Sequence, residues 1–86
     1  MRLTILKITK TKSKFGDYFY YIFLKGDNGA SFKTCIYPKY GNYLRNKWDM
    51  VIAHGEGTIL DYDQMPITQR GLLNADIAFT IIPKEA

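Results

Sequence analysis

Gly-Asp-Asn-Gly at 26–29 separates two runs that favour extended chain, YFYYIFLK at 18–25 and ASFKTCIY at 30–37. Aromatic and β-branched residues fit a pleated, half-buried surface. Asn-Gly suits the positive dihedrals of a tight turn. The stretch therefore predicts an antiparallel hairpin, and whatever this chain folds into must contain it. It also poses a problem. Residues 18–23, YFYYIF, are apolar or aromatic without a break, so both faces of that strand are apolar. Either the strand is buried on both sides, or one aromatic face meets a partner.

The rest of the chain continues the extended pattern. Residues 2–10, RLTILKITK, read as a first strand, and KSKFGD follows as a turn with Gly16 supplying a permissive backbone. Pro38 ends the third strand because it has no N–H for a ladder. A connector at 39–48 is expected to hold one helical turn around 42–47. A fourth strand is expected from Met50 to Leu60, with Gly55 and Gly57 marking a bulge or bend. Residues 61–75 read as a long loop of the kind often used for function, and 76–82 as a fifth strand. At 86 residues the chain is expected to form one domain, 1–86. Five strands with glycine corners predict an all-β fold, a small barrel laid out as an OB-fold with the helical turn between strands three and four. An SH3-like barrel is the alternative.

A turn centred on 27–29 is read as placing odd residues of strand two on one face with even residues of strand three. One face is then Phe19, Tyr21, Phe23, Phe32, Thr34 and Ile36, uncharged and assigned to the core. The other is Tyr18, Tyr20, Ile22, Leu24, Ser31, Lys33, Cys35 and Tyr37. Lysine is almost never buried unpaired, so this second face is assigned to solvent.

Charge is unevenly divided. Residues 1–47 hold ten Lys/Arg and two acids, whereas 48–86 hold two Lys/Arg and six acids. Aromatics make up 15% of the chain, and seven of them are Tyr, a side chain with a ring for contact and a hydroxyl for water. Basic residues interleaved with such rings suggest a polyanion partner. No signal peptide is expected, because Lys7 and Lys10 interrupt the opening apolar residues. No segment is long enough to span a bilayer. The single cysteine, Cys35, excludes an internal disulfide, and a cytoplasmic location is the expectation.

The stretch 14–36 resembles the second and third strands of OB-fold nucleic-acid-binding domains, with a glycine turn, an aromatic-apolar strand, a short turn and a further strand. NKWDMVIAHGEGTI at 46–59 resembles the family's fourth-strand entry, and LLNADIAFTII its final strand. In size the chain resembles the single-domain single-stranded-DNA-binding proteins of phages and mobile elements, which coat replication or recombination intermediates. Unlike many bacterial members, it ends at PKEA without a glycine-rich linker and acidic tip, so partner recruitment of that kind is not expected.

The resemblance implies binding across strands two and three, flanked by the first and the last long loops. The residues assigned to that role are Lys10, Lys12, Lys14, Phe15, Tyr18, Tyr20, Lys33, Tyr37, Tyr40, Arg45, Tyr62 and Arg70, with Tyr43 and Lys47 beside them on the connector. Phe15 either contacts the strand or caps the barrel end. Tyr40 and Tyr43 either contact it or pack the connector, and Tyr62 either contacts it or lies in a subunit interface. Trp48 is read as a core plug. Stacking does not distinguish DNA from RNA.

No catalytic constellation is visible, and an enzyme is not expected. His54 and Glu56 would share a strand face but lack an orienting third group or a nucleophile. Cys35 and one histidine cannot build a structural zinc site, Asp61 and Asp63 are a weak cation signal, and GDNG lacks the Gly-Lys-Ser/Thr of a phosphate loop. No cofactor is expected. The competing reading is a protein-interaction module that turns the same basic aromatic face on an acidic protein. The apolar stretches at 50–53 and 77–82 would leave a barrel edge that a homodimer would cover.

Overall fold

The structure, a computed structural model, describes residues 1–37 and 44–84. Tyr40 and Tyr43 lie outside the described residues. Among the described residues, five antiparallel strands and one helix follow in the order β1 (Arg2–Lys12), β2 (Tyr18–Gly26), β3 (Ser31–Ile36), α1 (Arg45–His54), β4 (Ile59–Asp61) and β5 (Thr80–Ile82). The strands lie in one sheet in the order β3-β2-β1-β4-β5. The fold is therefore all-β with a helical element after the third strand, as the sequence predicts; after a three-strand meander the chain returns to the free edge of β1. The cylinder is not closed, since β3 and β5 are the two ends of the hydrogen-bonded sheet.

The β2–β3 turn corrects the predicted faces. Gly26 N–H donates to the Ala30 carbonyl at 2.8 Å and Gly29 N–H to the Gly26 carbonyl at 3.0 Å, with Gly29 at φ 85°. The loop thus has three residues, 27–29, and residue 26 faces residue 30. Equal parities pair, as in Tyr20 with Ile36, Ile22 with Thr34 and Leu24 with Phe32. Ile22, Leu24, Thr34 and Ile36 are buried. Tyr21, Phe23, Lys33 and Cys35 point the other way. The core face assigned from sequence was right for β3 and inverted for β2, although Phe19 is buried on the outer side.

β1 serves the same two faces through a bulge. Ile5 pairs with Leu24 but Lys7 pairs with Phe23, so Leu6 is extra. A bulge of this kind shifts the side-chain alternation by one. Leu3 and Ile5 face the core before it and the half-buried Ile8 after it, while Lys7, Thr9 and Thr11 share the outer face with Phe23, Tyr21 and Phe19.

The first part of the predicted fourth strand, residues 50–54, is helix. Leu44, Trp48 and Val51 are buried, and Ile52 packs against them, a spacing that makes one stripe of an α-helix. Gly55, at φ 82°, ends the helix, with its N–H on the Val51 carbonyl at 3.0 Å. His54 and Glu56 therefore sit on a helix end and a turn, not on one strand face. Gly55 and Gly57 belong to the joint between helix and strand. Gly57 N–H donates to the Ile5 carbonyl and Ile5 N–H to the Thr58 carbonyl, both at 2.8 Å, so the joint is fastened to β1 beside its bulge.

The fifth strand is shorter than predicted, because the chain before it is recruited to the core. Phe79 is buried between Trp48, at a ring-centroid distance of 4.9 Å, and Tyr62, at 5.3 Å. Within the preceding loop, Ile67 bridges Leu73 around a turn at 68–71. Leu73 N–H reaches the Lys33 carbonyl at 3.4 Å. This small hairpin thus lies along the outer edge of β3.

Candidate functional site

Alternation along β2 and the three-residue loop bring four rings into one row on the outer face. Tyr37 stacks on Phe19 at 5.1 Å between centroids, Phe19 meets Tyr21 edge-on at 5.0 Å, and Tyr21 stacks on Phe23 at 6.3 Å. These separations lie within the range for interacting aromatic pairs. Phe19 is only 8% exposed and forms the floor of the row. Phe23 and Tyr37 are exposed at its two ends.

The setting of the row is basic. β1, β2 and β3 together carry Arg2, Lys7, Lys10, Lys12, Lys25 and Lys33 and no acid. Lys7 pairs with Phe23 from β1 and Lys33 pairs with it from β3. Cys35 sits beside Tyr21 on the same face. Burial pushes its thiol above the ordinary value, against the Lys33 ammonium and a side-chain hydrogen bond with Tyr21. The thiol form is therefore favoured over the thiolate.

Two shallow grooves border the row on the β3 side. One is lined by Phe23, Lys33, Gly71 and Leu72, and the other by Tyr21, Lys33, Cys35 and Leu72. The small hairpin of the long loop thus walls the row along β3, with the exposed Arg70 next to Gly71 at its turn. At the opposite end, beyond Phe19, an open groove of about 520 Å³ is lined by Lys12, Lys14, Phe15, Asp17, Phe19 and Tyr37.

Of the residues assigned from sequence, Lys12, Lys14, Phe15 and Tyr37 meet at that groove, and Lys33 lies by the row. Lys10 and Tyr18 lie on the reverse face of the same hairpin, past the end of the core, with the Lys10 ammonium 4.5 Å from the Tyr18 ring centroid. Arg45 is exposed at the start of α1. Two assignments are corrected. Tyr20 turns inward and packs against the core, because its partner across the ladder is the buried Ile36. Tyr62 is 2% exposed, covered by Phe79, and offers no ring face to a ligand. Trp48 is a core residue, as expected, 1% exposed.

Sequence reasoning missed Tyr21 and Phe23, whose signal was the odd length of the 27–29 loop. It also missed Leu72, which carried none. No helix among the described residues is long and apolar enough to cross a membrane. Among the described residues no group of three or more His, Cys, Asp and Glu side chains is placed to hold a metal ion. Compared with known protein families, curated proteins and solved structures, the chain matches none.

Proposed function

We propose that this protein binds single-stranded DNA without strong sequence preference, in support of replication or recombination. The observation that carries this reading is the row Tyr37–Phe19–Tyr21–Phe23 on the outer face of β2 and β3, set among strands that have lysines and no acid. Base stacking on aromatic rings is tolerant of sequence because every base has a π-face, and a basic surround tracks the phosphates. The surface suits an opened strand better than a duplex, whose bases face one another and leave only edges in the grooves.

The test is a fluorescence-anisotropy titration of a labelled thymine oligonucleotide of roughly 20–30 nucleotides, with duplex of equal length as competitor. Single strands should win, and affinity should fall with salt at a logarithmic slope near −3 if roughly four phosphates are neutralised. Failure to bind at low salt overturns the reading. A protein-docking surface is the second reading, favoured by the exposed Leu6 and Leu72 on the same side as Phe23. It is the one left standing by that failure.

A further inference from the structure

The groove past the end of the aromatic row has features that the row does not explain. Phe15 is 81% exposed, the most exposed of the large apolar side chains on the described surface. The backbone that carries it is nonetheless fixed by hydrogen bonds. Ser13 N–H donates to the Asp17 carbonyl at 2.7 Å, Gly16 N–H to the Ser13 carbonyl at 3.0 Å, and Phe15 N–H to the Ser13 hydroxyl at 3.2 Å. With Gly16 at φ 91°, the turn between β1 and β2 is a fixed platform. The Lys14 ammonium lies 5.2 Å from the Phe15 ring centroid. The Phe19–Tyr37 stack and Lys12 line the same groove.

Planar apolar walls with a small number of charged groups at the rim are the makings of a small-molecule pocket, and about 520 Å³ lies in the range such pockets occupy. Asp17 lines the same groove. Rings beside two lysines suit the chemistry of a flat base carrying a phosphate.

We infer that this groove is a discrete site for a single nucleotide, a base held between Phe15 and the Phe19–Tyr37 stack with its phosphate on Lys12 and Lys14. The inference deepens the proposed function. It rests on that reading only for the case in which the nucleotide belongs to a strand, since a free mononucleotide has the same chemistry.

The experiment uses the full chain labelled with ¹⁵N. Thymidine monophosphate, thymidine and inorganic phosphate are titrated separately, and the labelled thymine oligonucleotide is titrated in parallel. Thymidine monophosphate should shift the amides of 12–19 and Tyr37 while leaving those of 69–72 in place, and each half-ligand should shift them less. Phe15→Ala should abolish these shifts and weaken the oligonucleotide by roughly fivefold to a hundredfold, the loss of one stacked base. Because Phe15 is so exposed, the remaining amide spectrum should not change, which separates loss of the site from loss of the fold. Lys14→Gln should weaken the monophosphate and leave thymidine unaffected. If the oligonucleotide binds but the monophosphate shifts nothing in the groove, or if Phe15→Ala binds both as the parent does, the site is not there. If the monophosphate binds in the groove and no oligonucleotide binds at all, the groove stands as a mononucleotide site and the strand-binding reading falls.

Discussion

The indole N–H of Trp48 donates to the carbonyl of Ala75 across 2.9 Å. This bond ties α1 to the loop that runs from β4 to β5, and Phe79 packs edge-on against the same indole. The loop is therefore anchored at its C-terminal end by the core.

Trp48→Phe removes that donor, leaves the Ala75 carbonyl without its partner and shrinks a side chain that is 1% exposed. A cost of about 2–3 kcal/mol is expected from the lost bond and lost volume together. In a chain of this length that lowers Tm by roughly 10–20 °C, which a thermal melt followed by circular dichroism reads directly. An unchanged Tm would mean that the loop is not held by this bond.

Tyr62 presents the opposite case. Its hydroxyl is buried and has no hydrogen-bond partner among the described residues, and burial raises its pKa well above the ordinary value. Tyr62→Phe should leave stability unchanged or raise it by up to about 1 kcal/mol, because an unsatisfied polar group leaves the core. The sign with pH follows from the raised value. The unfolded tyrosine ionises near pH 10 whereas the folded one resists. The stability linked to this group is whole below pH 10 and is lost as pH climbs above it. Urea melts at pH 8 and pH 11 should show a smaller loss for Tyr62→Phe than for the parent.

The row and the core face of β2 make a paired prediction. Tyr21→Ala and Phe23→Ala should each weaken oligonucleotide binding by about 1–3 kcal/mol. Tyr20→Ala, one residue away, should mainly lower stability, since Tyr20 packs against the core. Reversed results, with Tyr20→Ala weakening binding and Tyr21→Ala unfolding the protein, would contradict the observed parity of β2.

Gly57 sits at φ 91° where the helix hands over to β4. A Cβ there would lie 2.6 Å from Lys84 Cδ, but that side chain is flexible and can swing aside. The cost of Gly57→Ala should therefore come from the backbone, about 1–2 kcal/mol, and Lys84→Ala should not relieve it. A double-mutant cycle in chemical denaturation measures both effects.

Much of this fold is legible in the sequence, and the failures have physical causes. The turns at Gly16 and at 26–29 announce themselves, and so do the strands they join. The expected helical turn around 42–47 meets the start of α1, but its C-terminal part was hidden because Met50-Val51-Ile52-Ala53 looks like a buried strand. Only the wider spacing of Leu44, Trp48, Val51 and Ile52, closed by Gly55, marks it as helical. The outer face was mis-set on β2 by one unit of parity, which a count of the residues between Gly26 and Ala30 resolves. Lys12, Lys14 and Phe15, which flank a glycine turn, do line one groove. Tyr62 was misplaced because nothing local reveals that Phe79 covers it. Leu72 depends on a contact between β3 and a loop some forty residues later, and no local pattern encodes that.

The extra residue at Leu6 has a consequence for how this chain tolerates change. Leu6 itself is exposed, so many side chains should be accepted there. Removing the residue outright would take away the bulge and leave the sides of β1 unchanged, since Lys7 would follow Ile5 outward and Ile8 would stay inward. A residue lost between Lys7 and Lys12 would instead send every later side chain of β1 to the opposite face. The strand behaves like a reading frame with one spare letter, indifferent to its removal and intolerant of a loss further along.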